Sequence, residues 1–311
     1  MDWKYKMSKI KNAGMVVTFL IPINLFALGF SLTEENDFFV SKDNNYTQGL
    51  ELSLDDYKRD TNGVIISRYF YGIRSRIYTP KNIEIAENQP KDRPWACTTA
   101  IFYDTIAREG IELVKYGIEL GVLGPAAGGK IEQTEIHRLI GATIPQGWSN
   151  QVPNELSLDL YMTRYLPFGK INHDLWSAQL DMPYGGTIGT TYDNLQMGLS
   201  TKIGYNIPPN CLNECISPKV AKAVPFIYLL ADSNGKYVFN NATLGHSFFR
   251  NRNNKWNRTL IHGVTEWDYG VCAGWKNFAI TYLLCQRSEE FVGQPEEMKW
   301  GMIKLEFMQV F

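Results

Sequence analysis

Strict alternation of apolar and polar side chains constrains this sequence more than any other feature. In Gly49-Leu-Glu-Leu-Ser-Leu54 the leucines share one face and Glu51 and Ser53 the other, which is the period of a half-buried strand. Leu156, Leu158, Leu160 and Met162 alternate with Ser157, Asp159, Tyr161 and Thr163, and Leu195, Met197, Leu199 and Ile203 with Asn194, Gln196, Ser200 and Lys202. Between Arg68 and Ile77, the residues Tyr69, Tyr71, Ile73 and Ile77 oppose Arg68, Arg74 and Arg76. Arginines on an inward face suit a wet lumen better than a packed sandwich. Further strands are expected at Trp95–Tyr103, Ile111–Gly121, Phe226–Ala231, Tyr237–Asn240, Ile261–Tyr269, Gly270–Trp275, Phe278–Arg287 and Gly301–Phe311, so about a dozen fit in the chain. Asp60-Thr-Asn-Gly63, Asp232-Ser-Asn-Gly235 and Asn251-Arg-Asn-Asn254 have the chemistry of turns between them.

The two ends sharpen the reading. Lys4, Lys6, Lys9 and Lys11 precede an apolar run from Met15 to Phe30, the composition of an export signal over residues 1–30, with a single domain over 31–311. A signal anchor is the rival reading, but the run falls short of the ~20 residues that span comfortably, and Ala27 and Gly29 favour cleavage. Beyond Phe30 no stretch of ~18 apolar residues occurs, so a membrane could be crossed only by strands closed into a barrel. The final strand ends in Phe311, like the assembly signal of bacterial outer-membrane barrels, which implies delivery by the barrel assembly machinery. The expected fold is therefore all-β, a transmembrane antiparallel up-and-down barrel of about 12 strands in the bacterial outer membrane. A soluble β-sandwich is the alternative, because alternation alone does not say whether the apolar face meets lipid or a second sheet.

A net charge of -1 argues against a nucleic-acid partner. There is no G-x-S-x-G elbow, since Gly245-His-Ser-Phe-Phe249 lacks the closing glycine, and the four histidines are scattered with no His-Glu-x-x-His pair. Cys211 and Cys215 could form a local disulfide after export, with zinc as the rival reading. One segment, Gly128 to Gly141, departs from the strand pattern and reads as a short helix with Gln133 and His137 four apart on one face. Taken alone, a lone histidine is more often structural. Asn36-Asp37, beside Glu34 and Glu35, offers hard oxygen ligands, or simply a solvated acidic start to the mature chain.

Seven motifs occur in an order and spacing that resemble the lipid A 3'-O-deacylase family. They are Asn36-Asp37, Tyr46-Thr-Gln-Gly-Leu50, Ile77-Tyr-Thr-Pro80, Asp92-Arg-Pro-Trp-Ala96, Gly121-Val-Leu-Gly-Pro125, Gln133-x-x-x-His-Arg-Leu-Ile-Gly141 and Gly147-Trp148. The resemblance implies a twelve-stranded outer-membrane barrel with its site between the wall and a helix in an extracellular loop. It further implies His137 as the base that activates water, Gln133 beside it on the helix, and a calcium centre at Asn36, Asp37 and Thr47. The implied substrate is the lipid A of lipopolysaccharide, its phosphates met by Lys81, with Arg93 and Arg138 as alternatives. One departure stands out: the family's acidic residue six or seven positions after the histidine falls here on Thr143 or Ile144. Asp43, Glu135 and Glu155 are the carboxylates that could compensate. A catalytically inactive or porin-like barrel, and a phospholipase on the same scaffold, remain open.

Overall fold

The computed structural model describes residues 29–40, 45–59, 61, 65–208, 224–250 and 253–308. Among them are twelve strands: β1 (Gly29–Asn36), β2 (Tyr46–Arg59), β3 (Ile65–Tyr78), β4 (Ala96–Glu109), β5 (Glu112–Leu123), β6 (Glu155–His173), β7 (Trp176–Gly189), β8 (Tyr192–Tyr205), β9 (Phe226–Asn241), β10 (Gly263–Trp275), β11 (Phe278–Arg287) and β12 (Met298–Met308). One α-helix, α1 (Gly129–Ile140), sits between β5 and β6. Each strand pairs antiparallel with its chain neighbours, and β1 closes on β12 with Gly29 opposite Met308 and Asn36 opposite Gly301. Closure leaves no unpaired edge, the condition for crossing lipid with strands.

The outward face decides between barrel and sandwich. Leu195, Met197 and Leu199 are 60%, 61% and 50% exposed. A sandwich would bury the apolar face of such a strand against a second sheet, whereas here that face is the outer wall. The inward face is wet and charged. Arg74 pairs with Glu51 at 2.6 Å and Glu119 at 2.5 Å, Arg76 with Glu119 at 2.9 Å, and Glu266 with both Lys236 and Arg287. These groups line a lumen cavity of about 450 Å³. Near its loop end Tyr78 of β3 meets Tyr192 of β8 hydroxyl to hydroxyl at 2.9 Å, a contact that crosses the lumen.

Four expectations need correction. Asp232-Ser-Asn-Gly235 is not a turn: it lies in the middle of β9, where Asp232 and Asn234 face inward. A polar lumen accepts such side chains mid-strand, so turn chemistry there carries no signal. For the same reason the two segments expected on either side belong to one strand, and so do Ile261–Tyr269 and Gly270–Trp275, joined in β10. Strand β7 is missing from the expected strands; Pro183 and Gly185-Gly186 interrupt its pattern, while Leu180, Met182 and Ile188 keep one parity on either side of them. Glu34 and Glu35 are not a solvated start but part of β1, where Glu35 accepts a hydrogen bond from Tyr46.

Gly29 and Phe30, expected in the leader, are the first residues of β1 and pair with Asp55 and Leu54 of β2. The remainder of the expected export signal, the Cys211–Cys215 disulfide, Asp43 and Phe311 lie outside the described residues. Both ends of the barrel strands β1 and β12 that lie nearest the chain termini share one end of the barrel with the hairpin turns. That end also takes the β8–β9 connection, while the other long connections, including the one that carries α1, lie at the opposite end.

Candidate active site

The connection between β5 and β6 folds back over the outside of the wall. Gly128, at φ 82°, starts α1, and Gly141, at φ 70°, ends it in the left-handed conformation that favours glycine. The helix lies close: a Cβ on Gly129 would come within 2.5 Å of the Cys97 Cβ. Hydrogen bonds pin the segment to β3 and β4, from Thr99 Oγ1 to the Ala127 carbonyl at 2.8 Å and from Ser75 Oγ to Glu132 Oε2 at 2.8 Å. Ile77, Ile83, Trp95, Cys97, Ala127 and Trp148 pack beneath it. Ile77 was expected on the apolar outer face, and it is there, but α1 and its flanking loops cover it instead of lipid.

The residues singled out in the sequence divide into three places. Gln133 points into the packed layer: it is fully buried, its Oε1 accepts from Trp148 Nε1 at 2.9 Å, and its Nε2 is a buried donor with no partner. His137, one turn on, is half-buried, and its Nδ1 bonds the carbonyl oxygen of Thr143 at 2.5 Å. Because that oxygen can only accept, Nδ1 carries the proton and a neutral ring keeps its lone pair on Nε2.

Asn36, Asp37 and Thr47 lie where β1 ends and β2 begins. Asn36 is opposite Gln48, which is opposite Ile77, which is opposite Cys97, so this row of the outer wall runs from Asn36 to the ground beneath α1. A bulge between Tyr46 and Gln48 interrupts the β2–β3 register and re-aims Thr47. Its Oγ1 bonds Thr79 Oγ1 at 2.7 Å. Asn36 Oδ1 accepts from the Phe38 amide at 2.9 Å, and Asp37 is buried in the 3-10 turn that follows.

Lys81 is placed in a loop, its Nζ on Glu296 Oε1 at 2.5 Å and its amide on Asp92. Arg93, an alternative for a phosphate, is buried completely and pairs with Glu290, so it is a structural cation. Arg138 pairs with Glu135 on the helix surface, and Glu155 with Arg250.

One carboxylate, Glu132, escaped notice in the sequence, and another, Glu34, was read only as a neighbour of Asn36-Asp37. Glu132 precedes Gln133 and reaches the wall at Ser75; its other oxygen, Oε1, is buried with no partner. Burial pushes this carboxyl above the usual carboxylate range, which the Ser75 hydrogen bond partly offsets. Glu34 shares the outer face with Asn36, hydrogen-bonds to it and lies within electrostatic reach of Glu132. The only sequence signal for Glu34 was its two-residue spacing from Asn36, and for Glu132 there was none.

A closed barrel with an apolar outer wall and a charged lumen defines a membrane-spanning β-barrel. The chain belongs to the outer membrane protein LpxR family, whose model matches residues 17–309. Its fold is similar to that of LpxR from Salmonella typhimurium, with a TM-score of 0.75 at 18% identity, covering 90% of this chain and 99% of that one. The beta domain of the Bordetella autotransporter BrkA scores 0.43 at 9% identity, covering 91% and 98%. The KdgM porin in complex with disordered oligogalacturonate scores 0.33 at 9% identity, covering 91% and 99%. Likeness at these last two levels carries no argument. No curated protein sequence matches the chain. Family and closed barrel together place the protein in the outer membrane.

Proposed function

We propose that the protein is a calcium-dependent ester hydrolase that removes the 3'-linked acyl chain of lipid A, with His137 as general base. The observation that carries this reading is the setting of His137. It sits on a helix outside the wall, its Nδ1 fixed by a carbonyl, and the same helix exposes Ile131, Leu139 and Ile140, Leu139 by 85%. A site so framed opens toward lipid and away from the lumen.

In this reading His137 Nε2 takes a proton from water as the water oxygen bonds to the ester carbonyl carbon. The same proton then goes to the departing alkoxide when the ester C–O bond breaks. Nε2 of Gln133, a buried donor without a partner, is the proposed hydrogen-bond donor to a substrate oxygen, reached as the substrate enters beneath α1. Asn36, Asp37 and Thr47 would hold the calcium. The donor set fits a hard cation, being oxygen throughout, and Glu132 Oε1 is a buried carboxylate oxygen that lacks a partner nearby. Calcium bound there supplies Lewis-acid polarisation of the ester carbonyl. Lys81 is the proposed contact to a lipid A phosphate, reached by exchanging Glu296 for the phosphate.

The test is incubation of the purified protein with hexa-acylated lipid A and, separately, with glycerophospholipid, with and without chelator, read by product mass. Loss of the 3' acyl chain only without chelator supports the proposal. Intact lipid A beside cleaved phospholipid would make the protein a phospholipase, and no cleavage of either an inactive barrel.

A further inference from the structure

We infer that Glu34 and Glu132 are the carboxylates that bind the divalent cation between the barrel wall and α1, supplying from β1 and the first turn of the helix the negative charge that Thr143 does not. The inference rests on the calcium-dependent reading above and concerns which residues serve it.

Glu34 is opposite Leu50, Leu50 opposite Ser75, and Ser75 opposite Thr99, so Glu34 and Ser75 stand on one outward row of the wall. From the helix side, Glu132 comes down onto that row at Ser75. The two carboxylates thus approach one cleft from its two walls and feel each other's charge. Their hydrogen-bond partners, Asn36 and Ser75, are neutral, and among the described residues no lysine or arginine pairs with either. Two like charges facing each other in a half-buried cleft repel, and either a proton or a cation between them relieves the repulsion.

The orphaned Oε1 of Glu132 gives the second indication. A buried carboxylate oxygen without a partner is costly, and it is also a free hard-cation ligand. With Glu34, Ser75 Oγ and Asn36 it forms an all-oxygen set bearing two formal negative charges, which matches one divalent ion. Among the described residues no three His, Cys, Asp or Glu side chains converge. Glu34 and Glu132 would join the ligands at the end of β1 from the two sides of the cleft, and a cation between them would tie α1 to β1.

The residue that follows the helix explains why the charge is needed there. The position expected to be acidic falls on Thr143 or Ile144, neither of them charged, and Thr143 offers His137 only a backbone carbonyl. A compensating charge must come from elsewhere, and of the carboxylates considered, Glu135 and Glu155 are engaged by Arg138 and Arg250.

The experiment is calorimetric titration of the purified protein in detergent with calcium chloride, for wild type, Glu34→Gln, Glu132→Gln, Glu132→Asp and Asp37→Asn. Folding of each variant is verified by heat-modifiable gel mobility. Glu34→Gln and Glu132→Gln are each expected to weaken calcium binding at least tenfold, with Glu132→Asp recovering part of the loss. Wild-type affinity in both glutamine variants overturns the inference. A loss confined to Asp37→Asn also overturns it while leaving the calcium-dependent reading in place. No binding by the wild type removes that reading and the inference with it.

Discussion

His137 Nδ1 donates to the carbonyl oxygen of Thr143 at 2.5 Å, closing a loop of six residues around the end of α1. Gly141 makes this possible, since its left-handed conformation ends the helix and turns the chain back toward the ring. A histidine acting as a base needs a partner that sets its tautomer, and in the proposed mechanism the Thr143 carbonyl is that partner.

Removing the ring should therefore stop the reaction while removing the Thr143 side chain should not. His137→Ala is expected to lower deacylation by about 10²- to 10⁴-fold without altering heat-modifiable mobility. Thr143→Ala is expected to stay close to wild type, since the carbonyl survives. Activity retained in His137→Ala would take the residue out of the mechanism.

Gln133 tests the role of an orphaned donor. Gln133→Leu should cut kcat by about 10²- to 10³-fold, the usual loss for one oxyanion donor. Trp148→Phe removes the hydrogen bond to Gln133 Oε1 together with part of a buried ring packed on Trp95 and serves as the packing control. Equal losses in the two variants, measured as kcat on lipid A, would reduce Gln133 to a structural residue.

Asp37→Ala should reduce activity most at limiting calcium, with the defect shrinking as calcium rises. Initial rates across a calcium titration check this. A constant ratio to wild type at every concentration would remove Asp37 from the ligand set.

The loop end of the barrel holds a buried ion pair with a pH signature. Arg93 pairs with Glu290, donates to Thr243 Oγ1 at 2.9 Å and lies over the Tyr78 ring. Burial raises the Glu290 carboxyl, but Arg93 and Arg287 outweigh it and hold the group below its usual range. A carboxyl depressed in the folded state contributes stability above its unfolded pKa, about 4.3 for glutamate, and loses that contribution as pH falls through the folded value. Glu290→Ala should cost about 3 to 5 kcal/mol at neutral pH, because Arg93 is left buried and unpaired. Thermal unfolding of both proteins across pH should show the gap narrowing only in acid.

Tyr78 and Tyr192 make the fifth prediction. Their contact spans the lumen near the loop end, above the ion pairs of Arg74 and Arg76 with Glu119. Wild type in a planar bilayer should show no porin-like conductance, and Tyr78→Ala with Tyr192→Ala should raise it. Open channels in the wild type would favour the porin reading.

Much of the fold was legible because its signal is local. Leu50, Leu52 and Leu54, or Leu195, Met197 and Leu199, declare their face by their own spacing, and a strand in a closed barrel obeys that spacing along its whole length. The same rule misled at Asp232–Gly235, where polar residues inside a wet lumen imitate a turn, and at Pro183, where a strand continues past a breaker. The helix from Gly128 to Gly141 was also legible, since glycines bracket it and Gln133 and His137 fall four apart.

The sequence by itself determined which residues face outward, that strands must do the crossing, and which family the chain resembles, since all three depend on short patterns read in order. Tertiary structure decided what those residues meet. Only the register of β1 on β2, β2 on β3 and β3 on β4 puts Asn36 on one row of the wall with the ground beneath α1, and only the fold of the β5–β6 connection covers Ile77 and lowers Glu132 onto Ser75. Glu34 and Glu132 lie 98 positions apart in the chain, and no local pattern records that they share a cleft. The physical reason is that alternation encodes a face, whereas a site is a meeting of faces, and that meeting depends on register and loop packing set by the whole barrel.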